Sequence, residues 1–236
     1  MPAIEIHPLT PARWGDVVAL FGPRGACAGC WCMYWRLPAR TWATRTRDGG
    51  AANRRRFRKL VDAGAAPGLI AYVDGEPAGW CALAPRADYV RLARSRVLAP
   101  VDDDPVWSVP CFFVARTHRG KGLSVALLRA AAREAARRGA RALEGYPVAP
   151  RGGRAPDVFV YTGLPAAFEA AGFREVARRS PTRPIYRRTL RPRRAAGRAP
   201  AAAGATRETR ARHGPTSAAH GARAAAARRA AGRRGG

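Results

Sequence analysis

Residues 106–139 read VWSVPCFFVARTHRGKGLSVALLRAAAREAARRG, and three kinds of segment follow one another in them. Residues 109–114 form a short apolar run rich in Val and Phe, the pattern of a buried strand. Residues 123–138 carry Leu123, Leu127, Ala131 and Ala135 at helical spacing with Arg and Glu on the other face, the pattern of an amphipathic helix. Gly139 is its natural stop. Arg119-Gly120-Lys121-Gly122-Leu123-Ser124 joins the two. A strand that turns through glycines into a helix presents unpaired backbone N–H groups at the positive end of the helix dipole, and such a corner binds phosphate. Glycine admits an anion close to the backbone, and Arg119 and Lys121 add positive charge. The corner is not a Walker loop, because Lys121 is followed by Gly122 rather than by Ser or Thr. Nor is it a dinucleotide fingerprint, because Val125 stands where the third glycine belongs.

The 236 residues allow one large domain or two small ones, and 47% apolar residues suffice for a core. No window approaches 18 uninterrupted apolar residues, so no membrane span is expected. The opening MPAIEIHPLTPARW lacks the charged-then-apolar layout of a secretory signal, which predicts a cytoplasmic protein whose five cysteines stay reduced. The net charge of +27 is unevenly spread: residues 191–236 hold 12 Arg against one acid, Glu208, a net of +11 that leaves +16 for residues 1–190. The tail could bind nucleic acid weakly and nonspecifically through counterion release. A bias toward Arg, Ala, Gly and Pro along the whole chain accounts for the same charge without any function, and is the preferred reading.

Residues 3–7 alternate as a first strand. Thr10 and Pro11 then start a helix to about Phe21, with Trp14, Val17, Val18 and Phe21 inward. The stretch GPRGACAGCWCMYWRLP places Cys27, Cys30 and Cys32 beside Trp31, Met33, Tyr34 and Trp35. A structural zinc site needs four ligands, and Cys81, Cys111 and the isolated histidines do not complete one. The loop reads either as the apolar wall of a substrate pocket or as plain core, its thiols serving as small apolar groups. Residues 41–53 read as a mobile polar loop and residues 53–63 as a second helix with Phe57, Leu60 and Val61 inward. Residues 67–83 make a hairpin around Asp74-Gly75. Residues 85–104 read as a long polar connection ending in a solvated acidic run. Residues 141–148 form a strand with Glu144 and Tyr146 on one face. Residues 164–171 form a short helix ended by Gly172-Phe173, and residues 174–177 and 185–190 supply last strands. Residues 191–236 bury too little to offset chain entropy and are expected to be disordered.

The Arg119-x-x-Gly122-x-Ser124 corner between strand and helix resembles motif A of the GNAT superfamily of acyl-CoA-dependent N-acyltransferases, with Ser124 in place of the usual Gly or Ala. Residues 157–177, with AAFEAAGF before a strand, resemble motif B. The resemblance implies an α/β (α+β) GNAT fold in residues 1–190: a mixed sheet of about six to seven strands with about four helices. It also implies a transfer of acetyl from acetyl-CoA to an amine of a small molecule or peptide, without a metal. Arg119, Gly120, Lys121, Gly122, Leu123 and Ser124 would hold the diphosphate. Phe112, Phe113 and Val114 would pair with the pantetheine arm as an added strand, and an N–H near Phe113 or Val114 would face the thioester oxygen. Many relatives place a Tyr in motif B as the acid for the departing thiolate; here that position is Phe168. Tyr161 and Tyr146 are the candidate replacements, and Glu144 the candidate base. An acyl-CoA sensor without catalysis and a nucleic-acid binder acting through the tail stand as the alternatives. Homodimerisation is left open.

Overall fold

The computed structural model describes residues 3–45, 48–152, 156 and 159–191. Apart from Arg191, the basic tail lies outside the described residues, as do residues 153–155 and 157–158. In chain order the elements are β1 (Ile4–Pro8), α1 (Trp14–Phe21), α2 (Ala39–Arg45), α3 (Ala51–Asp62), β2 (Gly68–Val73), β3 (Glu76–Ala82), β4 (Ala84–Pro85), α4 (Val90–Ala93), β5 (Trp107–Val109), β6 (Phe112–Val114), α5 (Leu123–Arg137), β7 (Ala142–Gly145), α6 (Pro165–Ala170), β8 (Arg174–Arg178) and β9 (Pro184–Thr189). The architecture is mixed α/β. One sheet is ordered β1-β2-β3-β6 and is antiparallel throughout; the other is ordered β4-β5-β7-β9-β8, with β5 and β7 parallel. The two share their middle. Only Leu83 separates β3 from β4, and only Pro110 and Cys111 separate β5 from β6. Two long strands therefore pass from one sheet into the other. Among the described residues no helix is long and apolar enough to cross a membrane.

Local chemistry accounts for these elements. The β2–β3 hairpin closes with Val73 opposite Glu76, around Asp74 at φ 51° and Gly75 at φ 86°. Positive φ at both central residues suits the twist of the strands. On α5, Leu123, Leu127, Ala131 and Ala135 are buried as the spacing requires, joined by Leu128, Ala130 and Ala132. Each fully buried Leu contributes about 1.5–3 kcal/mol. Gly79 on β3 lies directly beneath Leu123 and Leu127 of this helix. A Cβ there would stand 2.9 Å from Leu123 Cδ2, so that side chain would have to shift. The other face of the β2–β3 hairpin carries an aromatic cluster in which Phe21 meets Trp31, Phe57, Trp80 and Phe113.

Several expectations need correction. Pro11–Arg13 forms a 3-10 turn before α1, and Thr10 makes no capping hydrogen bond through its side chain. Residues 39–45, read as largely loop, form α2; Trp42 packs edge-on against Tyr34 at 5.4 Å, and this tertiary contact outweighs the polar composition. Residues 85–104 are not a bare connection. They hold β4 and α4 and bury Tyr89, Leu92 and Leu98. Asp102, expected to be solvated, is ion-paired with Arg187. The run 109–114 is broken at Pro110-Cys111, because Pro110 has no N–H to give a ladder.

Candidate active site

The glycine corner folds as the sequence suggests. Residues 116–118 make a 3-10 turn, Gly120 and Gly122 adopt φ 73° and 77°, and α5 begins at Leu123. The helical ladder opens with the N–H groups of Val125 and Ala126 donating to the Gly122 carbonyl at 3.0 and 3.1 Å. The N-cap residue is Gly122, which has no side chain to cap the helix start, and among the described residues no capping oxygen is recorded on the amides of Leu123 and Ser124. Arg119 is turned back onto the strand, its Nε donating to the Val114 carbonyl at 3.1 Å. Lys121 is exposed.

The strand that leads to this corner has one edge against β3 and one edge turned away. Ala82 donates to Cys111 and Ala115 to Ala78, both at 2.9 Å, with Trp80 opposite Phe113. An antiparallel ladder alternates, so Cys111, Phe113 and Ala115 address β3 while Phe112 and Val114 address the other side. There, the Phe112 N–H donates to the Tyr161 carbonyl at 2.6 Å. The Phe112 carbonyl and the Val114 N–H remain on that edge. Of the two amides considered for a thioester oxygen, Phe113's is therefore spent within the sheet, and Val114's is the one that geometry leaves.

The break at Pro110-Cys111 sets β6 apart from β7, and three segments meet beside it. Val148 donates to the Gly163 carbonyl and Ala149 to the Thr182 carbonyl, both at 3.0 Å. This fixes Tyr161–Gly163 and the β8–β9 turn next to the strand. Tyr161 is half-buried and lies edge-on to Tyr34 at 6.2 Å between ring centroids. Burial pushes the Tyr161 phenol well above its usual range, and Tyr34 adds to the shift; the phenol keeps its proton at neutral pH and is a donor. The thiols of Cys32 and Cys111 stand 3.8 Å apart, and Trp80 Nε1 donates to Cys32 at 2.9 Å. Hydrogen bonding to Cys111 and burial raise the Cys32 thiol far above its usual range, and burial pushes Cys30 up to about 12. These thiols are neutral. Trp31, Cys32, Met33, Trp35 and Leu37 are buried, so the cysteine-rich loop is core in large part, with Tyr34 as its half-buried face toward Tyr161. Among the described residues no three His, Cys, Asp or Glu side chains are gathered as metal ligands.

Phe168 is fully buried, with ring contacts to Phe112, Phe173 and Tyr186 at 5.3–6.1 Å. It is a core residue and has no proton to give. Glu144 and Tyr146 share a face as expected and are hydrogen-bonded at 3.0 Å, but both are sealed, at 1% and 0% exposure. Glu144 Oε1 accepts from Arg187 Nε and Nη2 at 3.0 and 2.8 Å, and Oε2 accepts from Arg86 at 3.3 Å. Tyr146 meets Ser108 Oγ at 2.7 Å and Arg86 at 2.6 Å. Burial, then the Glu144 charge, drives the Tyr146 phenol far above its usual range. A carboxylate clamped by two guanidinium groups has its lone pairs engaged, which departs from what a base requires. Arg86 and Arg187 could not be matched to Glu144 in advance, because each lies more than 40 residues from it in sequence.

Residues 32–149, half of the chain, match the family model described as the acetyltransferase (GNAT) family. The chain thus belongs to the GNAT acetyltransferases, a family of acyltransferases. Solved structures similar to it include the PaiA N-acetyltransferase of Thermoplasma acidophilum in complex with coenzyme A, at 12% identity, 80% of this chain, 99% of that one and a TM-score of 0.45. A GNAT-family acetyltransferase of Streptococcus agalactiae is 12% identical over 79% of this chain and 95% of that one, with a TM-score of 0.48. The Drosophila melanogaster polyamine N-acetyltransferase is 10% identical over 80% of this chain and all of the other, with a TM-score of 0.49. No curated protein matches the chain.

Proposed function

We propose that the protein transfers the acetyl group of acetyl-CoA to an amine, by direct attack in a ternary complex, in the cytoplasm. The observation that carries this reading is the uncapped α5 start, reached through Gly120 and Gly122 from a strand whose Phe112 carbonyl and Val114 N–H face outward. The diphosphate would lie on the amides of residues 120–124, with Arg119 and Lys121 adding charge, and the pantetheine arm would follow the 112–114 edge. The amine nitrogen attacks the thioester carbon, a C–N bond forms, and charge on the oxygen is met by the Val114 N–H. The C–S bond then breaks and the thiolate takes a proton from Tyr161, which is restored by the proton that the amine releases through water. Tyr161 supplies the acid that Phe168 cannot. Glu144 and Tyr146 keep β5, β7 and β9 in register and touch no substrate.

The reading is tested by thermal shift with acetyl-CoA followed by free-thiol detection across a panel of amines. Acetyl-CoA should raise Tm, and amines should release thiol. Tyr161→Phe should keep the shift and lower kcat by about 10²-fold. A shift without thiol release from any amine would favour a binding protein without catalysis, and no shift would remove the reading altogether.

A further inference from the structure

The arginines in the body of this chain are numerous, and four with little exposure are paired with carboxylates. Arg36 meets Asp88 at 3.2 Å, Arg138 meets Glu134 at 2.6 Å, Arg86 meets Glu144 at 3.3 Å, and Arg187 is shared by Asp102 and Glu144. Taking a guanidinium out of water is costly unless an anion or good acceptors replace the solvent, and this matching is the expected answer. Arg183 has neither a carboxylate nor a short hydrogen bond among the described residues. It is half-buried at the β8–β9 turn, and its hydrogen bond among the described residues is a long one, from Nη1 to the Thr162 hydroxyl at 3.4 Å. Burial presses its pKa downward.

The surroundings repeat the imbalance. Arg91 Cζ lies 4.2 Å from the centroid of the Tyr34 ring, and its Nε donates to the Leu37 carbonyl at 2.9 Å. Tyr34 is in ring contact with Trp35, Trp42 and Tyr161. Tyr161 in turn is fixed through its carbonyl to Phe112, on the edge where the reaction is placed. An aromatic cluster flanked by two guanidinium groups, neither paired with an acid among the described residues, sits beside the strand break.

Resting on the acetyltransferase reading, we propose that the acceptor is a small amine that also carries a carboxylate, that Arg183 holds this carboxylate, and that the Tyr34–Trp42–Tyr161 cluster receives its apolar body. A guanidinium presents paired donors in a planar fork that fits a carboxylate. The same charge excludes polyamines, whose remote ammonium would be driven against Arg183 and Arg91.

The test uses the full chain and three pairs of amines that differ by the carboxylate: L-phenylalanine with phenethylamine, L-methionine with 3-(methylthio)propylamine, and L-leucine with isopentylamine, plus spermidine. Acetyl-CoA-dependent thiol release is measured for each. The carboxylated member of at least one pair should turn over with the larger kcat/KM, and spermidine should not react. Arg183→Ala should lower that value by about tenfold to a hundredfold and bring the pair level. Arg183→Lys should restore part of the preference, and both variants should keep the thermal shift with acetyl-CoA. Preference for the bare amines, or a preference unchanged in Arg183→Ala, overturns the proposal while leaving acyl transfer standing. Turnover of no carboxylated member also overturns it. Loss of the acetyl-CoA shift in the unaltered protein would instead strike the reading beneath it.

Discussion

The Phe168 ring lies so close to the Gly145 backbone that a Cβ on Gly145 would overlap it. Position 168 is thereby committed to the core, whatever its counterparts do elsewhere in the family. Gly145→Ala should lower stability by about 1–3 kcal/mol through overpacking, read as a fall in the denaturation midpoint; an unchanged midpoint would mean that the ring has room to move. Glu144 is committed in another way. Glu144→Gln leaves Arg86 facing a neutral amide and Arg187 with Asp102 as its remaining carboxylate, and should cost about 1–3 kcal/mol. The pH–rate profile of the variant should keep its shape, whereas a catalytic base would lose one limb. The sequence placed Glu144 and Tyr146 on one face correctly, because strand alternation is local. It did not reveal that both face inward onto Arg86 and Arg187, because that depends on which distant strands lie beside β7. Arg183 escaped notice for the same reason: among so many arginines, its burial beside Tyr161 without a carboxylate partner appears only in the folded chain.

At the scale of elements, α5 was legible in full. Its buried positions follow from a period that Leu and Ala keep over four turns, and its ends are marked by Gly122 and Gly139. The hairpin was legible because Asp-Gly has few uses between two β-rich runs. The short helix α6 was legible from its flanking Pro165 and Gly172, but two other short helices were not. α2 and α4 are seven and four residues long, below the length at which periodicity speaks, and tertiary contacts of Trp42 and Leu92 stabilise them. The last turns of α5 make a prediction of their own. Burial alone would raise the Glu134 carboxyl, but hydrogen bonds from Arg137 and Arg138 outweigh it and hold the group below its usual value. A carboxylate depressed in the folded state stabilises the fold fully above its unfolded pKa of about 4.3, and that contribution is lost as pH falls through the folded value. Glu134→Gln should therefore lower Tm near pH 7, and the gap from the unaltered protein should close toward pH 3. A gap independent of pH would show that the amide disturbs shape rather than charge.

For the molecule as a whole, one interruption organises the rest. Where Pro110 and Cys111 break the strand, one half stays with β7 and the other departs with β3. The strand edge released by that departure leads directly to the glycine corner, and the aromatic loop and the β8–β9 turn close in from the other side. The strong positive charge of the chain favours an anionic donor such as acetyl-CoA at any exposed site, so affinity alone says little about where it binds. Position decides. The most direct measurement is a crystal structure with acetyl-CoA bound. The account predicts the diphosphate within about 3 Å of the Leu123 and Ser124 amides, with the acyl carbonyl oxygen toward the Val114 N–H. A diphosphate seated elsewhere on the basic surface, with the start of α5 empty, would contradict it.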